Sequence, residues 1–282
     1  MNTRVAVVTG ANQGIGRAVV EGLADRLGPD DVIFLTGRHA ERVAAATEEI
    51  GRKQVVGRVL DVTDAGAVAA LADELKAEYG GVDLVVSNAV GPLVPERTQA
   101  EQVDEFLAVA NGGTSAVLRS FGPVLRPGGR LIVVASSLGT LDHVAPAVRD
   151  RFDGTTLEQI EAAVEEYRSA VHAGTAAEQG WPDWINFPSK VAQVAAVRAV
   201  AAERRTADLA DGTLIASVCP GLVDTRASRP WFDDFSQART PVQAAEPMLD
   251  FVLQPTDPTT YGELVRDGKV LPWKPTERND AH

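Results

Sequence analysis

The sequence contains few residues of the kinds that form disulfides or bind metal ions. Among its 282 residues there is one cysteine, Cys219, and there are four histidines. A single cysteine cannot form an internal disulfide, and these side chains show no metal-ligand spacing. We therefore expect no disulfide and no bound metal.

Basic residues are also scarce relative to acidic ones. Lysine and arginine number 27 against 39 aspartates and glutamates, which gives a net charge of -12. This charge repels nucleic acid and anionic membrane surfaces. No apolar run approaches the roughly 18 residues that span a bilayer, and residues 1–4 lead into a strand-like segment without a signal-peptide pattern. We expect a cytosolic protein that binds neither nucleic acid nor a membrane.

Linkers and low-complexity tracts are absent as well. Hydrophobic residues make up 45% of the chain and charged residues 23%, which is the usual balance of a globular protein. No segment rich in proline, glycine and serine divides the sequence, so we predict one domain over residues 1–275. The charged residues 276–282 are predicted to form a flexible tail.

Short β-branched segments alternate with amphipathic helical segments. The predicted strands are Arg4–Thr9, Val32–Thr36, Val55–Leu60, Val82–Val86, Arg130–Val134 and Thr213–Val218. These strands are apolar throughout, as expected for strands that are buried on both faces. The alternation predicts an α/β fold in three layers, with a doubly wound parallel sheet between two layers of helices.

The segment at about 139–180 interrupts this alternation. It is too long for a plain connection to the next helix, predicted at Phe187–Glu203. Thr155 and Glu158 predict a capping box, and apolar residues then recur at helical spacing over Leu157–Val171. We predict a helical insertion that packs on the domain.

A glycine-rich turn follows the first predicted strand. Glycines at this point allow a tight turn and a close approach of the backbone to a pyrophosphate, which the helix N-terminus then faces. The predicted dinucleotide-binding residues of this turn are Gly10, Asn12, Gln13, Gly14, Ile15 and Gly16.

The second predicted strand ends without the acidic residue that binds the ribose 2′-hydroxyl at NAD sites. Arg38 stands there instead, and Arg42 follows one helical turn later. A guanidinium can bind a 2′-phosphate through two hydrogen bonds and stack on adenine. We predict NADPH as the cofactor, with a solvated surface arginine as the alternative interpretation of Arg38.

Further motifs follow along the chain. They are Asp61-Val62, Ser87-Asn88-Ala89, Asn111, Ser136-Ser137 and Pro220-Gly221. Together with the glycine turn, they make almost the whole sequence resemble the short-chain dehydrogenase/reductase superfamily. Gly180-Trp181-Pro182 and the ending Gly262–Val270 are similar to the monomeric carbonyl reductase branch. The resemblance implies the Rossmann fold, a monomer and an NADPH-dependent reductase.

The resemblance also assigns roles to single residues. It adds Asp61, Val62, Asn88, Lys190, Pro220, Gly221, Val223 and Thr225 to the cofactor-binding residues. It implies that Ser137 hydrogen-bonds the carbonyl oxygen of the substrate. Asn111 would hold a water in a proton relay to Lys190, which itself would bind the nicotinamide ribose.

The catalytic tyrosine of the family is missing. Asn186 stands at its position, four residues before Lys190. An amide can polarise a carbonyl, but it cannot release a proton near neutral pH. His143, six residues after Ser137, is the leading substitute because imidazole titrates in the useful range. Tyr167 of the insertion and a bound water are the alternatives.

Two smaller departures concern the cofactor site and the helix that positions Asn111. Val90 replaces the glycine of the family's Asn-Ala-Gly motif, which predicts a looser fit of the cofactor. Gly112 and Gly113 follow Asn111 and are expected to weaken its helix by about 1 kcal/mol per glycine relative to alanine.

We predict a reductase whose substrate is a small molecule, either a bulky apolar carbonyl compound or a conjugated enone. The aromatic residues expected near the substrate are Trp181, Trp184, Phe187, Trp231 and Phe232. Reduction of a C=C bond fits the missing tyrosine, since its proton goes to carbon or follows through an enolate. The alternative is a non-redox role in the same fold, as an isomerase, a cyclase or an NADPH-binding regulatory protein.

Overall fold

The computed structural model describes residues 3–275, so the predicted tail at 276–282 lies outside the described residues. The strands are β1 (Val5–Val8), β2 (Val32–Gly37), β3 (Val55–Val59), β4 (Val82–Ser87), β5 (Leu125–Val134), β6 (Leu214–Val218), β7 (Leu264–Arg266) and β8 (Lys269–Leu271). They form one sheet in the order β3-β2-β1-β4-β5-β6-β7-β8. Only β8 runs antiparallel to its neighbour. The predicted α/β fold with a doubly wound parallel sheet is confirmed.

All six predicted strands are present, and their bounds differ mainly in β5. This strand begins at Leu125 rather than at Arg130, and its pairing with β4 shifts register between Val82 and Leu84. The short strands β7 and β8 were not predicted. At three residues each they are too short for a periodic pattern, and pairing with β6 and with each other defines them.

Helices flank the sheet. They are α1 (Gly14–Arg26), α2 (Ala40–Ile50), α3 (Ala65–Tyr79), α4 (Gln99–Leu107), α5 (Gly113–Phe121), α6 (Pro146–Arg149), α7 (Leu157–Ala173), α8 (Asn186–Ala210) and α9 (Pro241–Leu253). A π-turn at Ala108–Gly112 joins α4 to α5. Helix α1 packs against α9, whereas α5 packs between α3 and α8. No helix in the described part of the chain is long and apolar enough to cross a membrane.

The inserted helix is α7, and its predicted N-terminal cap is off by one residue. The capping box is made by Thr156 and Gln159, not by Thr155 and Glu158. Both pairs satisfy the sequence pattern. Tertiary contacts distinguish them, because Glu158 forms an ion pair with Arg119 of α5.

The insertion packs on the domain through a hydrophobic cluster of its own. Tyr167 and Trp181 are almost fully buried in this cluster, with their ring centroids 5.2 Å apart. The segment after β8 is tied to the insertion, because the indole nitrogen of Trp273 donates to Asp153 at 3.0 Å and the Trp273 carbonyl accepts from the Leu141 amide. The insertion is therefore an integral part of the fold, which positions one side of the site.

Candidate active site

Polar residues of the predicted site meet at the carboxyl edge of the sheet. The glycine turn follows β1, Asn88 follows β4, Ser137 follows β5 and Pro220 follows β6. The order of the strands reverses between β1 and β4. From β1 the chain adds β2 and β3 on one side of β1, and it then returns to add β4 on the other side. In open α/β sheets, ligands bind in the crevice at this switch point.

Close packing explains the glycines of the turn. Gly10 has a φ of +62°, and a Cβ atom there would lie 2.7 Å from the Cα of Ala89. A Cβ on Gly16 would lie 2.5 Å from the amide nitrogen of Asn88. Helix α1 starts at Gly14, and Gln13 before it provides no side-chain cap. The first N–H groups of α1 are thus left for an anionic ligand.

Asn88 ties the ends of two strands together. Its side-chain nitrogen donates to the carbonyls of Thr9 and Gly10 at 3.0 and 3.1 Å. Its backbone N–H donates to the Thr9 hydroxyl at 2.9 Å. The resemblance associates Asn88 with the adenosine side of a cofactor, and these contacts show that it also holds the glycine turn in place.

Two charged residues lie beside the ends of β2 and β3. Arg38 donates to Glu105 at 3.4 Å and its side chain is 42% exposed, while Arg42 is exposed on α2. The backbone N–H of Thr63 lowers the pKa of Asp61, and the Thr63 hydroxyl and the Arg38 charge act in the same direction. Asp61 is therefore held as a carboxylate near Arg38.

Gly113 is required by packing. Val62 is buried beside it, and a Cβ on Gly113 would lie 2.7 Å from the Cγ2 of Val62. Gly112 has no such neighbour, because the nearest atom to its Cβ would be 4.0 Å away. The expectation that both glycines act mainly by weakening a helix is therefore incomplete, since Gly113 lets α5 approach the predicted adenine pocket.

The π-turn places Asn111 against α8, the helix that carries Lys190. The Asn111 amide nitrogen donates to the Ser189 carbonyl at 2.9 Å, and the Ser189 hydroxyl donates to the Asn111 Oδ1 at 2.7 Å. Single π-turns inside helices are frequent at functional sites. One donor and one acceptor site of the Asn111 amide are thus engaged with the residue directly before Lys190.

Lys190 is 9% exposed, and its ammonium group donates to the Oε1 of Gln193 at 2.7 Å. Burial lowers the pKa of Lys190 to about 8, and the charge of Cys219 acts in the opposite direction. Gln193 was not among the predicted site residues. Its place three residues after the lysine on the same helix is the sequence signal that could have found it.

The turn that carries Ser137 packs on α8 at the level of the Lys190 backbone. A Cβ on Gly139 in this turn would lie 2.8 Å from the Lys190 carbonyl. The Ser137 backbone N–H donates to the Cys219 sulfur at 3.1 Å. Among residues 3–275, no protein group hydrogen-bonds the half-buried Ser137 hydroxyl.

Asn186 is the first residue of α8 and is half-buried. Pro188 lies in the first turn, where its missing N–H costs no helical hydrogen bond. The helix therefore begins normally, and Asn186 stands one turn before Lys190. Asn186, like Ser137, makes no side-chain hydrogen bond within the described chain.

An aromatic cluster surrounds the start of α8. It consists of His143, Trp184, Phe187 and Trp231. His143 stacks on Phe187 with ring centroids 5.2 Å apart, and Trp184 contacts both Phe187 and Trp231. Of the other predicted aromatics, Trp181 belongs to the core of the insertion and Phe232 is exposed, packed on Phe235.

Tyr167 is not part of the site, in contrast to the alternative raised for the proton donor. Its hydroxyl donates to Gln99 of α4 at 3.1 Å, and its side chain is 1% exposed. Burial raises the pKa of this phenol further. The helical period turns Tyr167 toward the core of the insertion, on the same face as Ile160 and Ala163.

The segment after β6 reaches back to the glycine turn. A Cβ on Gly14 would lie 3.8 Å from the Cγ2 of Thr225, and Val223 pairs with Arg239 in an isolated bridge. Gly221 adopts a φ of +81° at the turn out of the strand. The predicted residues Pro220, Gly221, Val223 and Thr225 therefore lie along one edge of the crevice.

These features define an α/β protein with a glycine-lined crevice at the switch point of the sheet and a serine, an asparagine and a lysine on the adjoining elements. No set of three or more histidine, cysteine, aspartate or glutamate side chains within residues 3–275 is arranged to hold a metal ion. The model of the short chain dehydrogenase family matches residues 4–147. The chain belongs to this family of oxidoreductases, which confirms the predicted superfamily.

The similarity to known relatives and to solved structures extends over nearly the whole chain. Carbonyl reductase (NADPH) 1 of Sus scrofa is 30% identical over 285 residues, covering 96% of this chain and 95% of that protein. Salutaridine reductase of Papaver somniferum has a TM-score of 0.79 at 24% identity and covers 93% of this chain and 99% of its own. NADPH-bound carbonyl reductase from chicken fatty liver has a TM-score of 0.70 at 18% identity. The match covers 97% of this chain and 100% of that chain.

Proposed function

We propose that this protein is an NADPH-dependent reductase whose substrate is a bulky apolar carbonyl compound or a conjugated enone. The observation that carries the proposal is that the turn after β5, which carries the half-buried Ser137, packs on α8 at the level of the Lys190 backbone. The NADPH-specific carbonyl reductase among the relatives supports the choice of reaction.

The cofactor would lie along the carboxyl edge of the sheet. Its pyrophosphate would face the N-terminus of α1, and Arg38 would bind its 2′-phosphate. Bound NADPH supplies the hydride. Lys190 would donate to the nicotinamide ribose, and Val62 would pack on the adenine beside Gly113. The exposed position of Val90 leaves its side chain room to turn away from the crevice.

The substrate oxygen would be held between Ser137 and Asn186. Both can donate a hydrogen bond to an oxygen that gains negative charge, but neither releases a proton near neutral pH. We propose His143 as the proton donor. The His143 ring stacks on Phe187, the residue next to Asn186, and therefore contacts the first turn of α8.

The aromatic cluster would form the apolar wall of the substrate site. Trp231 also ties the segment after β6 to the loop after β4, because its indole N–H donates to the Leu93 carbonyl at 3.3 Å. Large aromatic walls favour bulky apolar ligands through the area that they bury. This wall supports ring-containing ketones and enones as the substrate class.

We further propose a monomer with one dinucleotide-binding domain and an insertion at about 139–180, like the monomeric carbonyl reductase branch. Helix α7 packs against α4 and α8 and thereby covers a helix face that another subunit would otherwise use. Sedimentation at micromolar concentration should give a single species of about 30 kDa, the mass of one chain.

The decisive experiment changes the residue at position 186. Wild-type protein should consume NADPH with an enone, and only slowly with simple ketones. Asn186→Tyr should raise ketone turnover by about 10²–10⁴-fold, because the phenol restores a general acid. Asn186→Phe is the matched control, since it adds the same ring without the hydroxyl and should leave ketone turnover low.

A specific pair of results would contradict the reductase. If Asn186→Tyr binds NADPH but reduces no carbonyl, and wild type rearranges a substrate without consuming NADPH, the non-redox alternative holds. Asn186 is the observation that favours that alternative, because an amide orients a ligand without supplying a proton.

A further inference from the structure

The ammonium group of Lys190 is anchored from within its own helix. Gln193 lies one turn further along α8, is 2% exposed, and accepts from the Lys190 Nζ at 2.7 Å. An ammonium has three donors. One of them is thus directed at Gln193, and two remain for a ribose or other ligands.

Gln193 is in turn fixed to the π-turn. Its Nε2 donates to the Ala110 carbonyl and to the Thr114 hydroxyl, both at 2.9 Å. The Thr114 hydroxyl donates to the same Ala110 carbonyl at 2.6 Å. Every polar atom of the Gln193 amide therefore has a partner, and the chain of contacts runs from Lys190 to the residue before Asn111.

Gln193 is held by these hydrogen bonds beside a cavity. It lines a cavity of about 180 Å³ between α7 and α8, together with Asn111, Thr114 and Val164. The cavity leaves the side chain at position 193 room to adopt another rotamer. If the Gln193 amide lost these contacts, Lys190 would lose the partner that determines where its ammonium group lies.

We propose that Gln193 is a positioning residue that fixes the Lys190 ammonium and ties it to the π-turn that carries Asn111. The inference rests on the proposed function only where turnover is measured. Gln193 acts through Lys190 and touches neither the crevice edge nor the glycine turn.

The choice of an amide has a chemical consequence. A carboxylate at position 193 would form a buried ion pair with the ammonium and favour its charged form, whereas an apolar side chain would remove a hydrogen bond that favours that form. Ser189, Asn111 and Thr114 around the lysine are neutral, and Cys219 is the titratable group whose charge acts on it. The two replacements should therefore shift the titration of Lys190 in opposite directions.

The experiment compares Gln193→Met and Gln193→Glu with wild type. Loss of a hydrogen bond to a charged group is expected to lower kcat about tenfold in Gln193→Met, with little change in KM for the carbonyl. The alkaline limb of kcat/KM should move to lower pH in Gln193→Met and to higher pH in Gln193→Glu. Gln102→Met is the matched control, because Gln102 is equally buried but binds the loop at Val94.

A second readout does not need turnover. The Cε resonance of Lys190 in carbon-13-labelled protein, assigned with Lys190→Arg, should titrate at lower pH in Gln193→Met and at higher pH in Gln193→Glu. An unchanged titration in both folded variants overturns the positioning role, whatever the reaction. If these shifts occur while wild type consumes no NADPH with any carbonyl or enone, Gln193 positions Lys190 and only the proposed reaction fails.

Discussion

Asn111 and Ser189 bind each other through both ends of one amide. The Asn111 nitrogen donates to the Ser189 carbonyl at 2.9 Å, and the Ser189 hydroxyl donates back to the Asn111 oxygen at 2.7 Å. Because Ser189 directly precedes Lys190, this pair fastens the π-turn to α8 at the level of the lysine.

Ser189→Ala should destabilise the protein by about 1–3 kcal/mol, because it leaves the buried Asn111 oxygen without a donor. Urea unfolding measures this change. Ser217→Ala is the control at an equally buried serine, whose hydroxyl makes a longer bond of 3.3 Å to a carbonyl that the Ser217 N–H already satisfies. Equal losses in the two variants would show that the Asn111 contact has no special weight.

Gly113→Ala should lower the free energy of unfolding by about 1–3 kcal/mol, since its methyl group would overlap Val62 in a packed region. The affinity for NADPH, measured by fluorescence titration, should fall as Val62 shifts. Gly112→Ala is the neighbouring control. It meets no atom closer than 4.0 Å, and it should stabilise the helix by up to about 1 kcal/mol. Similar destabilisation by both variants would contradict the packing explanation.

Arg38→Asp should reduce or reverse the preference for NADPH over NADH. The lost bond to the 2′-phosphate is charge-assisted, so we expect at least an approximately tenfold weaker binding of NADPH, with NADH affected far less. Fluorescence titration of both nucleotides measures the ratio. Arg52→Ala removes an exposed arginine that pairs with Asp25 and should leave the ratio unchanged. A retained preference in Arg38→Asp would remove this residue from cofactor selection.

The pKa of about 8 for Lys190 predicts two effects of pH. In activity, kcat/KM should decline above about pH 8, as the ammonium loses the proton with which it binds the cofactor. In stability, the folded pKa lies below the ordinary value of 10.5, so the unfolded chain binds more protons between the two values. Stability contributed by this group therefore rises with pH in that window.

Below pH 8 the lysine is charged in both states, and the burial penalty is constant. Urea unfolding of wild type and Lys190→Met from pH 7 to 10.5 isolates this contribution. The difference in unfolding free energy between the two proteins should shift in favour of wild type as the pH rises. A difference that is independent of pH would mean that Lys190 titrates at its ordinary value.

His143→Asn should slow reduction, because asparagine keeps a polar side chain but cannot release a proton near neutral pH. Steady-state kinetics at neutral pH measure this change. His172→Asn is the control at another histidine, on α7, whose ring contacts Asp104. Unchanged rates in His143→Asn would leave a water held at the site as the proton source.

The fold was largely predictable from the sequence. Strands that are covered on both faces must be apolar throughout, so the segments at Val5–Val8 and Val32–Gly37 are recognisable without tertiary information. A turn that needs a positive φ selects glycine, which marks Gly10 at the end of β1. Helical periodicity likewise located α7 within the insertion.

Only the tertiary structure decided which distant side chains meet. The contacts of Asn88 with Thr9 and of Gly113 with Val62 join residues far apart in the chain, and no local pattern encodes them. The same holds for Tyr167, which periodicity places on a helix face but which packing turns toward Gln99.

Lys190 shows most clearly what the sequence determines and what the tertiary structure determines. The family resemblance indicated Lys190 four residues after Asn186, because the spacing of a motif along one helix can be read from the sequence. Its anchor on Gln193, and through Gln193 on Ala110, depends on α8 lying against the π-turn. Sequence therefore determined which groups are present and which elements carry them, whereas packing between the elements determined which hydrogen bonds those groups form.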